Sequence, residues 1–190
     1  MTALEEQAFS AEDFLTWEAG QEIKHEFIAG EVFAMAGASD AHVTISGNVF
    51  AALRSHLRGK PCRAYIADMK LSVQAANAFF YPDVLVSCSS ADAARPDFKT
   101  EPVLIAEVLS PSTAAYDRGL KFAYYRELPS LQEYVLIDPD RVGVEVYRRD
   151  ASGHWVLYPY GVDEMVEFAS VDLHLSVADV YEDAWPAKAA

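Results

Sequence analysis

The stretch Pro102–Leu109 constrains the fold more than any other part of the sequence. It is apolar at almost every position, and Pro111 follows soon after it. Such a run is typical of a central strand covered on both faces, which favours a mixed α/β sheet with helices packed against it. Glu107 lies inside the run, and a buried carboxylate needs a partner cation, a metal ion or a proton. The alternative is an ordinary Glu at a strand end that pairs with an Arg on the sheet rim.

The whole chain is predicted to form one mixed α/β domain over 1–190, because 190 residues is a single-domain length. Hydrophobic periodicity and turn residues predict a helix, a hairpin, a second helix, strands, a third helix and further strands. The first predicted helix begins after Ser10, and the second begins after Ser39 or Asp40. The third is predicted from Tyr116 to Leu128. The predicted strands are a hairpin over 26–33 that turns at Gly30, then 65–73, 79–86 with an interruption at Pro82, 102–109, 133–137, 142–148 and 154–160. The ends, 1–9 and 186–190, are expected to be frayed.

The charge balance excludes one class of function. Acidic residues outnumber basic ones by 29 to 15, which gives a formal net charge of −14. A protein that holds nucleic acid over its whole surface carries a basic excess instead. A local basic patch remains open, and the densest basic stretch supplies its candidates, Arg54, Arg58 and Lys60. The alternative for these residues is a solvated helix end.

The cysteines and the N-terminus bear on where the protein resides. Cys62 and Cys88 lack the spacing of a metal site, and two cysteines do not form a disulfide framework. The N-terminus lacks a basic segment followed by an apolar one, so no secretory signal is predicted. No apolar run reaches the ~18 residues of a membrane helix. We therefore expect a cytoplasmic protein without membrane contact, whose thiols are reduced.

A second carboxylate lies in an apolar stretch. Asp83 follows Pro82 inside the predicted strand over 79–86, 24 positions before Glu107. If the two strands are neighbours, the two carboxylates converge at one end of the sheet, and with a backbone carbonyl they form an oxygen site that suits Mg²⁺ or Mn²⁺. The alternative for Asp83 is a turn residue bonded to local backbone.

Several motifs in this order resemble a known family. They are Tyr-Pro-Asp-Val (81–84), Ile-Ala-Glu-Val-Leu-Ser-Pro-Ser-Thr (105–113), and Asp117 with Lys121 and Tyr125. This set resembles the Uma-two-type restriction-endonuclease-like family of the PD-(D/E)XK nuclease superfamily. The resemblance implies a restriction-endonuclease-like core with flanking helices and extra C-terminal antiparallel strands.

The resemblance also implies roles for individual residues. Asp83 and Glu107 are expected to bind the metal, with the carbonyl of Val108 as a third ligand and Glu26 extending the shell. The position two residues beyond Glu107 is Leu109, so the expected lysine comes from the following helix as Lys121. The positions with less certain roles are His42 and Asp68.

Taken without the resemblance, these residues have other interpretations. Lys121 is then a solvated lysine beside the apolar stripe of Tyr116, Leu120 and Tyr124, with Asp117 as its i, i+4 partner. Even as the catalytic lysine it is expected to lie on the flank of this stripe, so its loss is expected to change stability little. Glu26 is a surface residue of a hairpin, and His42 is a packed core histidine. Asp68 bonds only to backbone amides.

The resemblance implies a metal-dependent endonuclease that hydrolyses phosphodiester bonds of nucleic acid, with DNA as the expected substrate and Mg²⁺ or Mn²⁺ as the cofactor. Two alternatives stay open at this point. One is a hydrolase of another class, for instance acting on a glycoside, which uses the same carboxylates as an acid–base pair. The other is a catalytically silent interaction module that keeps the fold. Edge strands near the C-terminus leave a homodimer open as well.

Overall fold

The structure of the protein, a computed structural model, describes residues 9–185; the frayed ends predicted at 1–8 and 186–190 lie outside this range. Phe9, the last residue of the predicted frayed N-terminus, packs its ring against Trp17 and Phe27. The helices are α1 (Ala11–Glu18), α2 (Asp40–His56), α3 (Ser90–Ala94), α4 (Ala114–Tyr116), α5 (Phe122–Tyr125) and α6 (Val177–Val180). The strands are β1 (His25–Ile28), β2 (Glu31–Ala34), β3 (Arg63–Ile66), β4 (Lys70–Val73), β5 (Ala78–Phe80), β6 (Val84–Ser87), β7 (Phe98–Lys99), β8 (Pro102–Val108), β9 (Glu133–Ile137), β10 (Val144–Arg149), β11 (Trp155–Tyr160), β12 (Met165–Phe168) and β13 (Leu173–Ser176).

The strands form two sheets and a separate pair. The order is β11-β10-β9-β8-β6-β3 in a six-stranded sheet and β2-β1-β5-β4-β7 in a five-stranded one, and β12 pairs with β13. β8 lies inside the larger sheet, parallel to β9 and antiparallel to β6. The mixed α+β fold class and the central position of the Pro102–Val108 strand, both predicted from the sequence, are confirmed.

The two faces of β8 meet different apolar cores. Leu104, Ala106 and Val108 pack into the core that includes the buried residues of α2. Ile105 and Leu109 pack into the second core, which includes the buried residues of the segment after β8. Glu107 alternates with the first group along the strand, so its side chain points toward the second core.

Local sequence signals account for several elements. Ser10 caps α1 in a reciprocal capping box with Asp13, and Ser39 caps α2 through the backbone N–H of His42. The β1–β2 turn uses Ala29 at φ 50° and Gly30 at φ 100°. Positive φ at both central residues is what a two-residue hairpin of matching twist requires.

Two predicted strands are each divided between the sheets. The prediction of one strand over 65–73 is wrong: β3 belongs to the six-stranded sheet and β4 to the five-stranded one, with Ala67 between them at φ 50°. The strand predicted over 79–86 is likewise divided into β5 and β6, on either side of Pro82. Because the chain changes sheet at Tyr81-Pro82-Asp83, Asp83 lies at the junction of the two sheets.

The connection from β8 to β9 is a crossover, as parallel neighbours require. The helix predicted from Tyr116 to Leu128 lies in it, but it runs from α4 through a π-helical turn over Asp117–Lys121 into α5. The crossover packs over the face of β8 that carries Glu107, and this brings Lys121 to the sheet.

Cys62 and Cys88 form a disulfide, so the prediction of reduced thiols is wrong for this structure. Arg63 in β3 is opposite Ser87 in β6, and the next residue outward on each strand is a cysteine. The sequence separation of 26 residues gave no sign of this pairing. None of the helices within residues 9–185 has the length and apolar character needed to cross a membrane.

Candidate functional site

A cavity of about 710 Å³ opens where the end of β8 meets β1, the start of α2 and the crossover after β8. Most of the residues predicted for the site line it: Glu26, His42, Asp83, Glu107, Val108 and Lys121. These residues come from five parts of the chain that are distant in sequence. The fold therefore brings together the set predicted by the motifs.

Asp83 and Glu107 lie side by side across two antiparallel strands. Val84 of β6 is opposite Ala106 of β8, and Asp83 and Glu107 are the next residues on each strand. The Asp83 N–H donates to Glu107 Oε2 at 3.2 Å, and the Val108 N–H donates to Asp83 Oδ2 at 2.8 Å. His42 Nε2 lies 2.9 Å from the other oxygen, Oδ1 of Asp83. Backbone register thus fixes the two carboxylates relative to each other.

Lys121 is a buried residue of this site. It is 6% exposed, and its Nζ lies 3.0 Å from Glu107 Oε1 and 3.1 Å from Glu26 Oε1. Asp117 Oδ1 is 3.8 Å from the same nitrogen. The interpretation of Lys121 as a solvated surface lysine is therefore wrong. The premise that Lys121 contributes to stability through Asp117 alone is wrong too, because its ammonium also pairs with Glu26 and Glu107. Glu26 likewise faces the site and is not a free surface residue.

Two further residues belong to the site although no catalytic or metal-binding role was predicted for them. The Tyr125 hydroxyl, four residues after Lys121 and one helical turn away, donates to Glu107 Oε1 at 2.8 Å. Asp117 is 4% exposed and lies on the cavity wall. Tyr125 is part of the motif quoted above, and its spacing from Lys121 is the signal that could have placed it.

Burial and mutual repulsion shift the titration of the cluster. Burial raises the pKa of Glu107 to about 8, against the opposite effect of Lys121. Burial also raises the pKa of Asp117. Burial alone would lower the pKa of Lys121, but the surrounding carboxylates raise it above its usual value, so the ammonium stays charged. Burial raises the pKa of Tyr125 well above its usual range, which keeps its hydroxyl a donor to Glu107.

Asp68 stays outside the cavity. It forms an ion pair with Lys24, and its side chain is 80% exposed. Lys24 itself lines the cavity, so Asp68 is linked to the site through this lysine.

The predicted basic patch lies away from the cavity. Arg54 is in the last turn of α2, whereas His42 is in its first turn. At 1.5 Å per residue, the two are about 18 Å apart along the helix. Arg58 and Lys60 follow the end of the helix and are exposed. None of the three lines the cavity within the described residues.

A divalent ion such as Mg²⁺ needs several oxygen ligands around one point. Within residues 9–185, no group of three or more His, Cys, Asp or Glu side chains is arranged to hold a metal ion. The Lys121 ammonium instead lies between Glu26 and Glu107. The oxygen chemistry of Asp83 and Glu107, with excess negative charge around them, nevertheless fits Mg²⁺ or Mn²⁺.

Comparisons with known proteins agree with the resemblance noted in the sequence. Residues 11–178 match the model of the Uma2 family, which is described as "Putative restriction endonuclease". Two proteins of Synechocystis sp. (strain PCC 6803) are similar over most of their length. "Uncharacterized protein slr1290" is 37% identical over 172 residues, covering 90% of each chain. "Uncharacterized protein sll1609" is 36% identical over 168 residues, covering 84% of this chain and 92% of the other.

A solved structure supports the fold. The crystal structure of "a putative nuclease belonging to DUF820" from Anabaena variabilis superposes with a TM-score of 0.76 at 21% identity. The match covers 93% of this chain and 99% of that one, and at this identity it shows a shared fold. With the family model spanning nearly all of the described residues, the chain belongs to the Uma2 family.

Proposed function

We propose that the protein is a metal-dependent endonuclease that hydrolyses phosphodiester bonds of nucleic acid, with DNA as the expected substrate. The observation that carries the proposal is the pairing of Asp83 with Glu107 at adjacent strand ends, beside buried Lys121 in an open cavity. Family membership supports nuclease chemistry in this cavity.

The metal is the cofactor that this donor set suits. Asp83, Glu107 and the carbonyl of Val108 would hold Mg²⁺ or Mn²⁺, with Glu26 extending the shell. A bound divalent ion lowers the pKa of its water and stabilises negative charge on the scissile phosphate.

The chain's own residues supply orientation. Tyr125 and the Asp83 N–H each bond one oxygen of Glu107. The Val108 N–H and His42 do the same for the two oxygens of Asp83. Carboxylates held in this way lose little freedom when they take up a ligand, and their orientation is set in advance.

Lys121 supplies positive charge. Its ammonium stays protonated and lies between Glu26 and Glu107, on the wall of the cavity that the phosphate must enter. A cation at this position opposes the negative charge that develops on the phosphoryl oxygens in the transition state.

The direct test is cleavage of DNA and RNA with Mg²⁺ or Mn²⁺, repeated in EDTA. We expect cleavage with metal, none in EDTA and none by Asp83→Asn. The metal should also raise the melting temperature of the wild type. At a hundredfold excess of metal over its Kd, binding adds about 2.7 kcal/mol to the free energy of unfolding. Absence of cleavage together with an unchanged melting temperature would leave the silent interaction module as the better reading.

The Lys121→Met variant tests the role of the ammonium. Turnover should fall ~10²–10³-fold, on the scale of losing one transition-state donor. Affinity for Mn²⁺ should hold or rise, because a competing positive charge has gone. Lys60→Met is the matched control, since Lys60 is exposed and does not line the cavity. Full activity of Lys121→Met would remove this lysine from the mechanism.

A further inference from the structure

Phe33 is an exposed aromatic side chain next to the site. It lies on β2, an edge strand of the five-stranded sheet, and is 46% exposed. Its partner across the hairpin is Glu26 of β1. Residues directly opposite each other in an antiparallel pair point to the same face of the sheet. Phe33 therefore shares a face with Glu26, whose side chain reaches Lys121 at 3.1 Å.

The neighbours on that face belong to the cavity. Lys24 immediately precedes β1, two positions before Glu26, and both residues line the cavity. Met35, whose N–H donates to the Lys24 carbonyl at 2.9 Å, lines it too. Phe33 does not itself line the cavity, but it lies opposite one lining residue, Glu26, and two positions before another, Met35.

Packing does not explain this ring. The aromatic cluster of the same sheet, formed by Phe14, Phe27 and Phe79, lies on the opposite face, because Phe27 alternates with Glu26. Phe33 belongs to none of the apolar clusters that residues 9–185 form. An exposed ring beside the cavity offers an aromatic face on which a nucleobase can stack.

A lysine lies at the same opening. Lys24 Nζ is 5.8 Å from the centre of the Tyr81 ring, and both residues line the cavity. Lys24 is paired with the exposed Asp68. In a chain of net charge −14, a cation beside an acidic site provides local attraction for an anionic strand.

We propose that Phe33 is a stacking platform for an unpaired base of the substrate strand. The inference rests on the proposed function and names its substrate class, an unpaired nucleic-acid strand. Bases stack on exposed aromatic rings whatever their sequence, but a base inside a duplex has both faces already stacked. A platform beside the cavity therefore selects single-stranded or locally opened substrate.

Binding is measured by fluorescence anisotropy with a labelled oligonucleotide, as a single strand and as a blunt duplex. Mn²⁺ is present, and Lys121→Met is the background for every variant so that cleavage is slow. Phe33→Ala should lower single-strand affinity about tenfold to a hundredfold and leave duplex affinity unchanged. Phe33→Trp should keep single-strand affinity. Tyr158→Ala is the control, because Tyr158 is an aromatic residue 39% exposed on the edge strand β11 of the other sheet.

Other outcomes separate the platform from the proposed function. Equal loss of single-strand and duplex binding in Phe33→Ala, or no loss, overturns the platform even if the wild type cleaves. A change of oligomeric state in Phe33→Ala, seen by light scattering, assigns the ring to a contact between copies and overturns it as well. Absence of metal-dependent cleavage in the wild type, with Phe33-dependent single-strand binding intact, removes the nuclease proposal and leaves the platform supported.

Discussion

Glu107 and Glu133 are buried carboxylates on the neighbouring parallel strands β8 and β9, and they are 3% and 0% exposed. Glu133 accepts from Arg148 Nε at 2.9 Å and from the backbone N–H groups of Ala169 and Ser170 at 3.0 and 2.8 Å. Arg148 reaches on to Glu167. Glu133 thus ties β9 and β10 to the segment after β12, with its charge balanced.

Glu107 has a different environment. It shares Lys121 with Glu26 and Asp117, lies against Asp83, and faces a cavity. Burial is nearly equal in the two places, so burial alone does not distinguish the two carboxylates. The difference is that Glu107 is crowded by further carboxylates beside an opening, an arrangement that is typical of functional sites.

The largest expected effect is on cleavage. Glu107→Gln keeps the shape of the side chain but removes its ability to bind metal as a carboxylate. Loss of a residue that only supports a metal ligand lowers activity up to about a hundredfold, and the fall in cleavage should be larger here. Glu133→Gln should leave cleavage per folded molecule unchanged, because Glu133 does not line the cavity. Both rates are measured at the same Mn²⁺ concentration on the folded fraction. Equal losses of cleavage in the two variants would mean that the carboxylates around Glu107 have no specific role in cleavage.

The next effect concerns the cation in the cluster around each carboxylate, Arg148 at Glu133 and Lys121 at Glu107. Arg148→Met leaves Glu133 buried without its partner and should cost about 3–5 kcal/mol of unfolding free energy, with or without metal. Lys121→Met should also destabilise the metal-free protein, since Glu26, Glu107 and Asp117 lose their shared ammonium.

Metal then separates these two variants. Mn²⁺ should restore much of the stability of Lys121→Met, because a divalent ion replaces the missing charge, and should restore none in Arg148→Met. Urea unfolding with and without Mn²⁺ measures both. Rescue of Arg148→Met by Mn²⁺, or its absence in Lys121→Met, would contradict the distinction between the clusters.

The same contrast shows what could be predicted from the sequence. Asp83 and Glu107 are predictable because a carboxylate in an apolar strand is costly and therefore conspicuous. Lys121 is not predictable from periodicity: the π turn over Asp117–Lys121 shifts the phase of the helix, so a regular helical projection misplaces the residues around it. The motif resemblance identified Lys121 where periodicity did not.

Other differences have equally local causes. Ala67 adopts φ 50°, a conformation that favours Gly or Asn, so nothing in the residue type announced the break between β3 and β4. The Cys62–Cys88 bond depends on the register between β3 and β6, which spacing along the chain does not reveal. The sequence does not distinguish Phe33 from an ordinary strand residue, because its position opposite Glu26 depends on the register of the hairpin.

The smallest expected effect is a dependence of stability on pH without metal. Burial raises the pKa of Glu107 to about 8 from 4.5, so between these values the folded protein holds a proton that the unfolded chain has released. Stability from this group is therefore fully present below pH 4.5 and is lost as pH rises toward about 8. Glu107→Gln, which does not titrate, should show a flatter profile over this window. Glu133→Gln should keep the slope of the wild type. Free energies of unfolding, measured in EDTA between pH 4.5 and about 8, give the three profiles. A wild-type slope identical to that of Glu107→Gln would show that Glu107 is ionised throughout this window and that Lys121 alone balances its charge.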